Sequence, residues 1–535
     1  MSPPESSSDA ATAIRQAVAL AVGPNATISH DDALMRISTD QLEQVLHDSF
    51  EGPNQNVLTT GLGASPGAAV GSIVLNADDA MMATDDVILV REETSPADVH
   101  GMGVAVGILT TRGGLASHAA VVARGWGKPA VCGAKGIEIH ADHILVNGER
   151  IEVGEIISID GRSGHVMRGA VESRQAEDIP EIATLLSWAD ESREIAIRAN
   201  ADTGADARVA RANGAEGIGL CRTEHMFLTE ERLPIIQSMI LAQSPDVEEK
   251  ALKELRKAQR NDFGDLLAEM DGLPVTVRLL DPPLHEFLPE LEELVEANAR
   301  NELDADGIAM LQAARKWRER NPMIGTRGVR LAWVKPGLYE MQVEALLDAV
   351  TDRIAAGGNP IVEIMIPLTV SGNELAGARK WIEAVLQHHP EVASVKIGTM
   401  VETPRAALVA DELAHHADFF SFGTNDLTQL TFGFSRDDIE NRIMDLYLEK
   451  ELLEANPFQH VDANAVIELV RLGVERGRST KPDLPIGVCG EHGGDPASIE
   501  LLAAAGVDYV SCSPPRVPIA RLAAAHIAIN ARGDR

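Results

Sequence analysis

From Glu194 to the C-terminus the chain repeats one pattern: a short apolar run able to form a buried strand, then a stretch with helical spacing. The runs are Ile195–Ala199, Gly217–Cys221, Val275–Leu280, Val362–Ile366, Val395–Met400, Phe419–Phe422, Ile486–Cys489 and Tyr509–Cys512. Near-continuous apolar runs suit strands covered on both faces. Eight of them, separated mostly by helices, give the count and alternation of a parallel (β/α)8 barrel. The interval between the third and fourth runs is long, and contains the acidic helix Glu290–Glu296 and the loop Asn321–Arg330.

A barrel dictates where to look for chemistry, because active sites of this fold lie at the C-terminal ends of the strands. Those ends carry Arg198 with Asn200, Arg222 with Glu224, Arg278 with Asp281, Glu402, Asn425 with Asp426, Cys489 with Glu491, and Ser513. The long third loop adds Arg327 and Arg330. Any one of these could be a rim salt bridge. As a set, arginines with two carboxylates suit a dianionic phosphoryl group and a divalent cation, since guanidinium forks pair phosphate oxygens and Mg²⁺ prefers a few carboxylates plus substrate oxygens.

Ahead of the barrel, short apolar runs at Ser72–Leu75, Val87–Val90, Val104–Leu109, Ala130–Cys132, His143–Val146 and Ile156–Ile159 alternate with Gly-rich turns. They predict a small α/β domain over 59–169. The segment GLGASPGAAVG at 61–71 has neither the dinucleotide nor the P-loop glycine spacing, and reads as a turn feeding a strand. Within this domain Ser117 can cap a helix that begins near His118. Unpaired backbone N–H groups and the positive dipole end favour an anion there, and imidazole is a competent nucleophile, so the position suits a histidine carrying a phosphoryl group. The plainer reading is a helix-capping or merely exposed histidine.

The remaining segments are connectors. Residues 1–58 begin with a polar tail expected to be disordered. A short helix follows at Ala11–Val22, then a second whose start is marked by Ser38 and Gln41 in capping-box spacing. Residues 170–193 form a helical linker with Ile179, Ile182, Leu185, Leu186 and Trp188 on one face. The barrel takes 194–535.

Charge and thiols narrow the class. With 81 acidic against 47 basic residues, a net charge of -34 argues against nucleic acid and anionic membranes as partners. The four cysteines, Cys132, Cys221, Cys489 and Cys512, form no C-x-x-C pair, which fits a reducing compartment. Without a signal peptide or a bilayer-length apolar run, the expectation is a cytoplasmic protein.

The longest motifs resemble a known family. GGLASHAAVVARGWGKPAVCG at 113–133 is similar to the phosphohistidine signature of the phosphoenolpyruvate (PEP)-utilising enzymes. GIGLCRTEHMF at 217–227, VRLLDPPLHEFLP at 277–289, NPMIGTRGVRL at 321–331 and IGTMVETPRAAL at 397–408 resemble the pyruvate phosphate dikinase branch of that family. FFSFGTNDLTQ at 419–429, GVCGEHGGDP at 487–496 and VSCSPPRVPIARL at 510–522 extend the likeness from about Asp32 to about His526.

The resemblance implies a swivelling phosphohistidine domain, with His118 as the phosphoryl carrier, followed by a PEP/pyruvate-binding barrel. By the same likeness Arg222, Arg278 and Arg327 hold the transferring phosphoryl group, Glu402 and Asp426 bind Mg²⁺, and Asn425 orients substrate. Cys489 exchanges a proton with the methyl carbon of pyruvate, while the other cysteines are left to packing. A full-length dikinase of this kind begins with an ATP-grasp domain, of which only the end of the connecting region is recognisable here, at Ala33–Ile37 and Gln41–His47. The implied activity is therefore the PEP/pyruvate half-reaction, with a separate ATP-binding chain as a partner and a homodimer through the barrel. Position 116 is alanine, so the regulatory threonine of plant dikinases has no counterpart. Two other activities compete: a PEP-dependent phosphorelay donor resembling enzyme I of the sugar phosphotransferase system, whose helical carrier-binding insertion is not found here, and a non-catalytic PEP-binding regulator.

Overall fold

The computed structural model describes residues 7–24, 26–50, 56–94, 98–114, 117–174, 179–227, 232–242, 244–392 and 395–533. Eight parallel strands close into a barrel in strict chain order: Ala196–Asn200, Ile218–Arg222, Pro274–Arg278, Ile361–Ile366, Lys396–Val401, Phe420–Phe422, Ile486–Val488 and Tyr509–Cys512. Closure is made by the first and last strands, with Ala196 opposite Tyr509 and Ala199 opposite Cys512. All eight expected runs are strands, each within a residue or two of its expected ends.

The strands are buried nearly throughout because helices cover them outside and side chains fill them inside. The inner filling is not all apolar. Arg198 Nη1 lies 2.7 Å from Glu363 Oε2, which also accepts from Thr276 Oγ1 at 2.8 Å, and the Arg198 guanidinium stacks 4.1 Å over the Tyr509 ring. Arg198 was expected at the catalytic mouth. It is instead the middle residue of its strand and belongs to this interior ionic layer. Room for the Tyr509 ring comes from Gly487 on the neighbouring strand, where a Cβ would stand 2.0 Å from the ring.

The smaller α/β unit is an eight-stranded mixed sheet, with Ala68–Val74, Val87–Arg91, Gly107–Thr110 and Ala130–Cys132 parallel at its centre. The expected strand from Val104 begins only at Gly107, because Val99–Val104 is a short helix. His143–Val146 lies in a separate three-stranded antiparallel sheet. The glycine-rich stretch is two strands, Leu62–Ser65 and Ala68–Val74, around a tight turn. Gly67 takes a φ of +123°, and a Cβ at Gly63 would stand 2.3 Å from the Arg162 carbonyl oxygen, so these glycines serve chain packing.

The N-terminal helix starts at Ser7, earlier than expected, while the expected disorder of residues 1–6 lies outside the described residues. Ser38 and Gln41 form the expected capping box on Thr39–Leu46. The first helices, the linker helix Pro180–Ser192 and the C-terminal helix Val517–Gly533 share one apolar core that includes Ile14, Leu34, Leu42, Leu185 and Leu522. Among the described residues no helix is long and apolar enough to cross a membrane.

The contact between Gly487 and Tyr509 gives a direct test of barrel packing. Gly487→Ala should cost ~1–3 kcal/mol, the usual range for overpacking, read as a lower midpoint in urea unfolding at unchanged slope. A variant as stable as the parent would mean that the strands shift freely around Tyr509.

Candidate active site

At the C-terminal mouth of the barrel lies a cavity of about 240 Å³ lined by Arg222, Arg278, Arg327, Asn425, Asp426 and Cys489, together with Glu224, Asp281, Glu286 and Gly423. Nine residues singled out from sequence, counting Glu224, Asp281 and, just behind the wall, Glu402, are thus drawn together from the ends of separate strands and the third loop. Arg222 ends the second strand and Arg278 the third. Asn425 and Asp426 open the helix Thr424–Phe432 after the sixth strand, and Cys489 follows the seventh directly.

The cations are aimed by buried acids. Asp281 is 1% exposed and lies between two guanidinium groups: Arg278 Nη1 at 3.0 Å and Arg327 Nη2 at 2.5 Å. Arg327 Nη1 also reaches Asp426 Oδ1 at 3.1 Å, and Arg278 pairs with Glu224. Arg222 is held differently, by its backbone N–H donating to Asp202 Oδ1 at 2.6 Å, while its side chain makes only long contacts, 4.0 Å to Asp202 and 3.9 Å to Glu491. Arg330 was expected to contribute to the site. Its Nη1 instead donates to the carbonyls of Ile324 and Gly325 at 2.9 and 3.1 Å, shaping the loop that presents Arg327.

Glu402 is fully buried, with Oε1 accepting from the Leu368 N–H at 2.6 Å and Oε2 without a hydrogen-bond partner. A Cβ at position 423 would lie 2.6 Å from that oxygen, so Glu402 packs directly behind Gly423 in the cavity wall. Burial and the nearby Asp426 push Glu402 up to about 8, and burial likewise raises Asp426 against the pull of Arg327. A buried and a half-buried carboxylate that resist ionising together, the buried one with an orphaned oxygen, suit a hard divalent cation. Among the described residues no three His, Cys, Asp or Glu side chains converge into a metal cage. The carboxylate pair itself fits Mg²⁺, which commonly takes one or two carboxylates and draws its other ligands from substrate and water.

Cys489 is buried, its Sγ 3.8 Å from the Phe422 carbonyl oxygen, and burial pushes the thiol up to about 11. Sequence reasoning missed two buried hydroxyls of the barrel interior, those of Ser421 and Tyr509, which have no hydrogen-bond partner among the described residues. Inward alternation on the sixth and eighth strands is the signal that points to them. The other expected packing cysteines, Cys132, Cys221 and Cys512, are all buried.

Sequence reasoning also missed His492. Its Nε2 lies 2.9 Å from the Pro457 carbonyl, which can only accept, so this nitrogen carries the proton. Nδ1 then accepts from Thr424 Oγ1 at 2.8 Å and so fixes the first turn of the helix bearing Asn425 and Asp426. His118 is the first residue of the helix His118–Trp126, capped by Ser117 Oγ accepting from the Ala120 N–H at 3.4 Å; its side chain lies outside the described residues.

Residues 176–529 match the PEP-binding domain of the PEP-utilising enzymes, and residues 83–164 match the mobile domain of the same enzymes. The chain belongs to the PEP-utilising enzyme family. It is 48% identical to pyruvate, phosphate dikinase of Rhizobium meliloti over 96% of this chain and 58% of that protein. It is also 48% identical to chloroplastic pyruvate, phosphate dikinase 1 of Oryza sativa, over 92% and 54%, and 47% identical to the Entamoeba histolytica pyruvate, phosphate dikinase, over 94% and 59%. The chain thus spans little more than half the length of these curated relatives. Within the family, the mobile-domain match contains His118 and the PEP-binding match contains the whole cavity.

His492 yields a pH prediction. Burial, reinforced by the charge of Arg436 and opposed by Asp495 and Glu491, lowers it from 6.5 to about 4. A depressed histidine adds stability above its unfolded pKa and loses it as pH falls toward the folded value, here ~3 kcal/mol between about pH 6.5 and 4. His492→Gln should flatten that acid limb when urea midpoints are compared from pH 7 to pH 4; parallel pH profiles for variant and parent would remove His492 as its source.

Proposed function

We propose that this protein is a phosphotransferase that interconverts PEP and pyruvate through a phosphohistidine on His118. The reaction is the PEP/pyruvate half of that of a pyruvate phosphate dikinase. The observation that carries this reading is the convergence of Arg222, Arg278 and Arg327 with the buried Glu402 and the half-buried Asp426 around one cavity that also holds the Cys489 thiol. Residues 59–169 act as the swivelling carrier and 194–535 as the substrate barrel, joined by the 170–193 linker and braced by 1–58. A separate nucleotide-binding chain charges His118 from the ATP side, and two copies pair through the barrel in a cytoplasmic homodimer.

The three arginines neutralise the phosphoryl oxygens, which is the main demand of a loose phosphoryl-transfer transition state. Asn425 orients the substrate. When bound by Glu402 and Asp426, Mg²⁺ supplies Lewis-acid stabilisation of charge on the substrate oxygens. In the direction of pyruvate formation a His118 ring nitrogen forms a bond to phosphorus while the bond from phosphorus to the enol oxygen breaks. The electron pair stays on the enolate, and the Cys489 thiol gives its proton to the enolate methylene carbon. A thiol pushed up to about 11 is fully protonated at neutral pH and is ready as that acid.

Radiolabelled PEP with Mg²⁺ should label the protein at His118 with release of one equivalent of pyruvate, and His118→Ala should take no label. A parent protein that stays unlabelled would overturn the reading, and chelation of Mg²⁺ should abolish labelling. Cys489→Ser should slow exchange of pyruvate methyl protons with solvent by roughly 10²–10⁴-fold, the usual worth of a positioned acid–base group, with PEP affinity little changed. Exchange at the parental rate would assign the proton to another group.

A further inference from the structure

The three arginines of the cavity are not equally engaged. Arg278 is held by Asp281 and Glu224, and Arg327 by Asp281 and Asp426, in close ion pairs. Among the described residues the Arg222 side chain has two carboxylates near it, both distant: Asp202 Oδ2 is 4.0 Å from Nη1 and Glu491 Oε1 is 3.9 Å from Nη2. A close fork to either would occupy donors that a phosphoryl group needs, so Arg222 keeps the most hydrogen-bonding capacity for an incoming dianion. A carboxylate at 4.0 Å needs only a small rotation to close on the guanidinium. Something has to hold it off.

Asp202 is held by two bonds that leave the guanidinium alone. It lies two residues past the first strand and directly ahead of Thr203, whose side chain caps the helix Gly204–Ala212 and fixes the chain there. Its Oδ1 accepts from the Arg222 backbone N–H at 2.6 Å, and its Oδ2 lies 2.8 Å from His225 Nδ1. An ionised carboxylate can only accept, so Nδ1 carries a proton whether the ring is neutral or charged. Partial burial works against both charges, yet the pairing wins. It holds Asp202 below the usual carboxylate range and, with Glu224 aiding and Arg222 opposing, raises His225 above its usual value. His225 opens the turn His225–Phe227, whose other residues, Met226 and Phe227, are buried and pin the backbone, while its own side chain is 53% exposed.

Resting on the reading of this cavity as the PEP site, we propose that His225 and Asp202 are positioning residues that keep Arg222 open for the phosphoryl group. One oxygen, Asp202 Oδ2, faces both His225 Nδ1 at 2.8 Å and Arg222 Nη1 at 4.0 Å, and the imidazole is the nearer claimant. Without the imidazole, Oδ2 has Arg222 to turn to, and the guanidinium then meets PEP as half of an ion pair that binding must break. Neither His225 nor Asp202 lines the cavity, so both act through Arg222.

The test uses the full chain with Mg²⁺ and measures PEP affinity by calorimetry for His225→Leu, His225→Asn, Asp202→Asn and the double variant His225→Leu/Asp202→Asn. His225→Leu should weaken PEP binding by about tenfold, the size of an ordinary coupling between neighbouring charged groups. His225→Asn, whose amide nitrogen can replace Nδ1 as the donor, should recover most of that loss. Asp202→Asn keeps an acceptor for the Arg222 N–H and removes the competing charge, so it should bind at least as tightly as the parent. The double variant should bind like Asp202→Asn. That suppression is produced neither by damage to the fold nor by a direct pull of His225 on the ligand, since both weaken binding in either background. Unchanged affinity in His225→Leu, or a tenfold loss that persists in the double variant, would overturn the proposal. Histidine NMR reads the pair without ligand: the His225 resonance, assigned by its loss in His225→Leu, should titrate at lower pH in Asp202→Asn than in the parent, and equal titration would overturn the pairing. A parent that binds no PEP would sink the reading of the cavity and the proposal with it, whereas a parent that binds PEP no better than His225→Leu would sink the proposal alone.

Discussion

Asp281 is the carboxylate on which the mouth of the barrel depends. It is buried 3.0 Å from one guanidinium and 2.5 Å from another, and these belong to the end of the third strand and to a loop more than forty residues further on. Desolvating three ionic groups together is costly, and it is tolerable only where each finds a full set of partners. Here the ladder continues from Arg327 to Asp426 and from Arg278 to Glu224, so the charges alternate around the rim. Removing one member leaves a buried neighbour short of one of its partners, and full loss of a buried partner typically costs ~3–5 kcal/mol. The same alternation presets the arginines, so that binding a dianion requires little rearrangement of protein dipoles.

The barrel was legible because its strands are covered on both faces and read as unbroken apolar runs, a signal that survives without tertiary information. The smaller unit was less so. Strands such as Val57–Thr60 and Glu149–Glu152 are short and mix polar with apolar residues, and Val57–Thr60 pairs with His165–Met167, far away in the chain. The strand expected from Val104 failed locally: Val99–Val104 holds the right hydrophobes but folds as a helical turn whose Gly101 packs against Ala77. Hydrophobicity set burial there, and backbone packing set conformation.

For the site, strand-end position found the groups that point out of the mouth and misplaced those that do not. Arg198 lies two residues before the end of its strand, in the interior layer with Glu363 and Tyr509. Arg330 lies three residues after Arg327, yet it holds carbonyls of its own loop while Arg327 reaches Asp281 and Asp426. His492 was invisible for another reason. Its part is to hold Thr424 and Pro457, and no spacing in sequence reveals a bridge between two loops.

The environment of Cys489 gives the site a chemical direction. A buried thiol held up at about 11 is a weak acid in water, but in the proposed reaction the enolate of pyruvate is a far stronger base than a thiolate, so donating the proton is downhill. Taking a proton from the methyl group needs the thiolate first, and burial opposes that charge. What offsets the penalty is the positive field of Arg222 and Arg278, both of which lower the thiol, against Glu402, which raises it. A cation bound at Glu402 would cancel the opposing charge, so that occupancy of the carboxylate pair and readiness of the thiol as a base rise together. On this argument one buried carboxylate, in the proposed reaction, would serve both as a metal ligand and as a charge that adds to burial in keeping the thiol protonated.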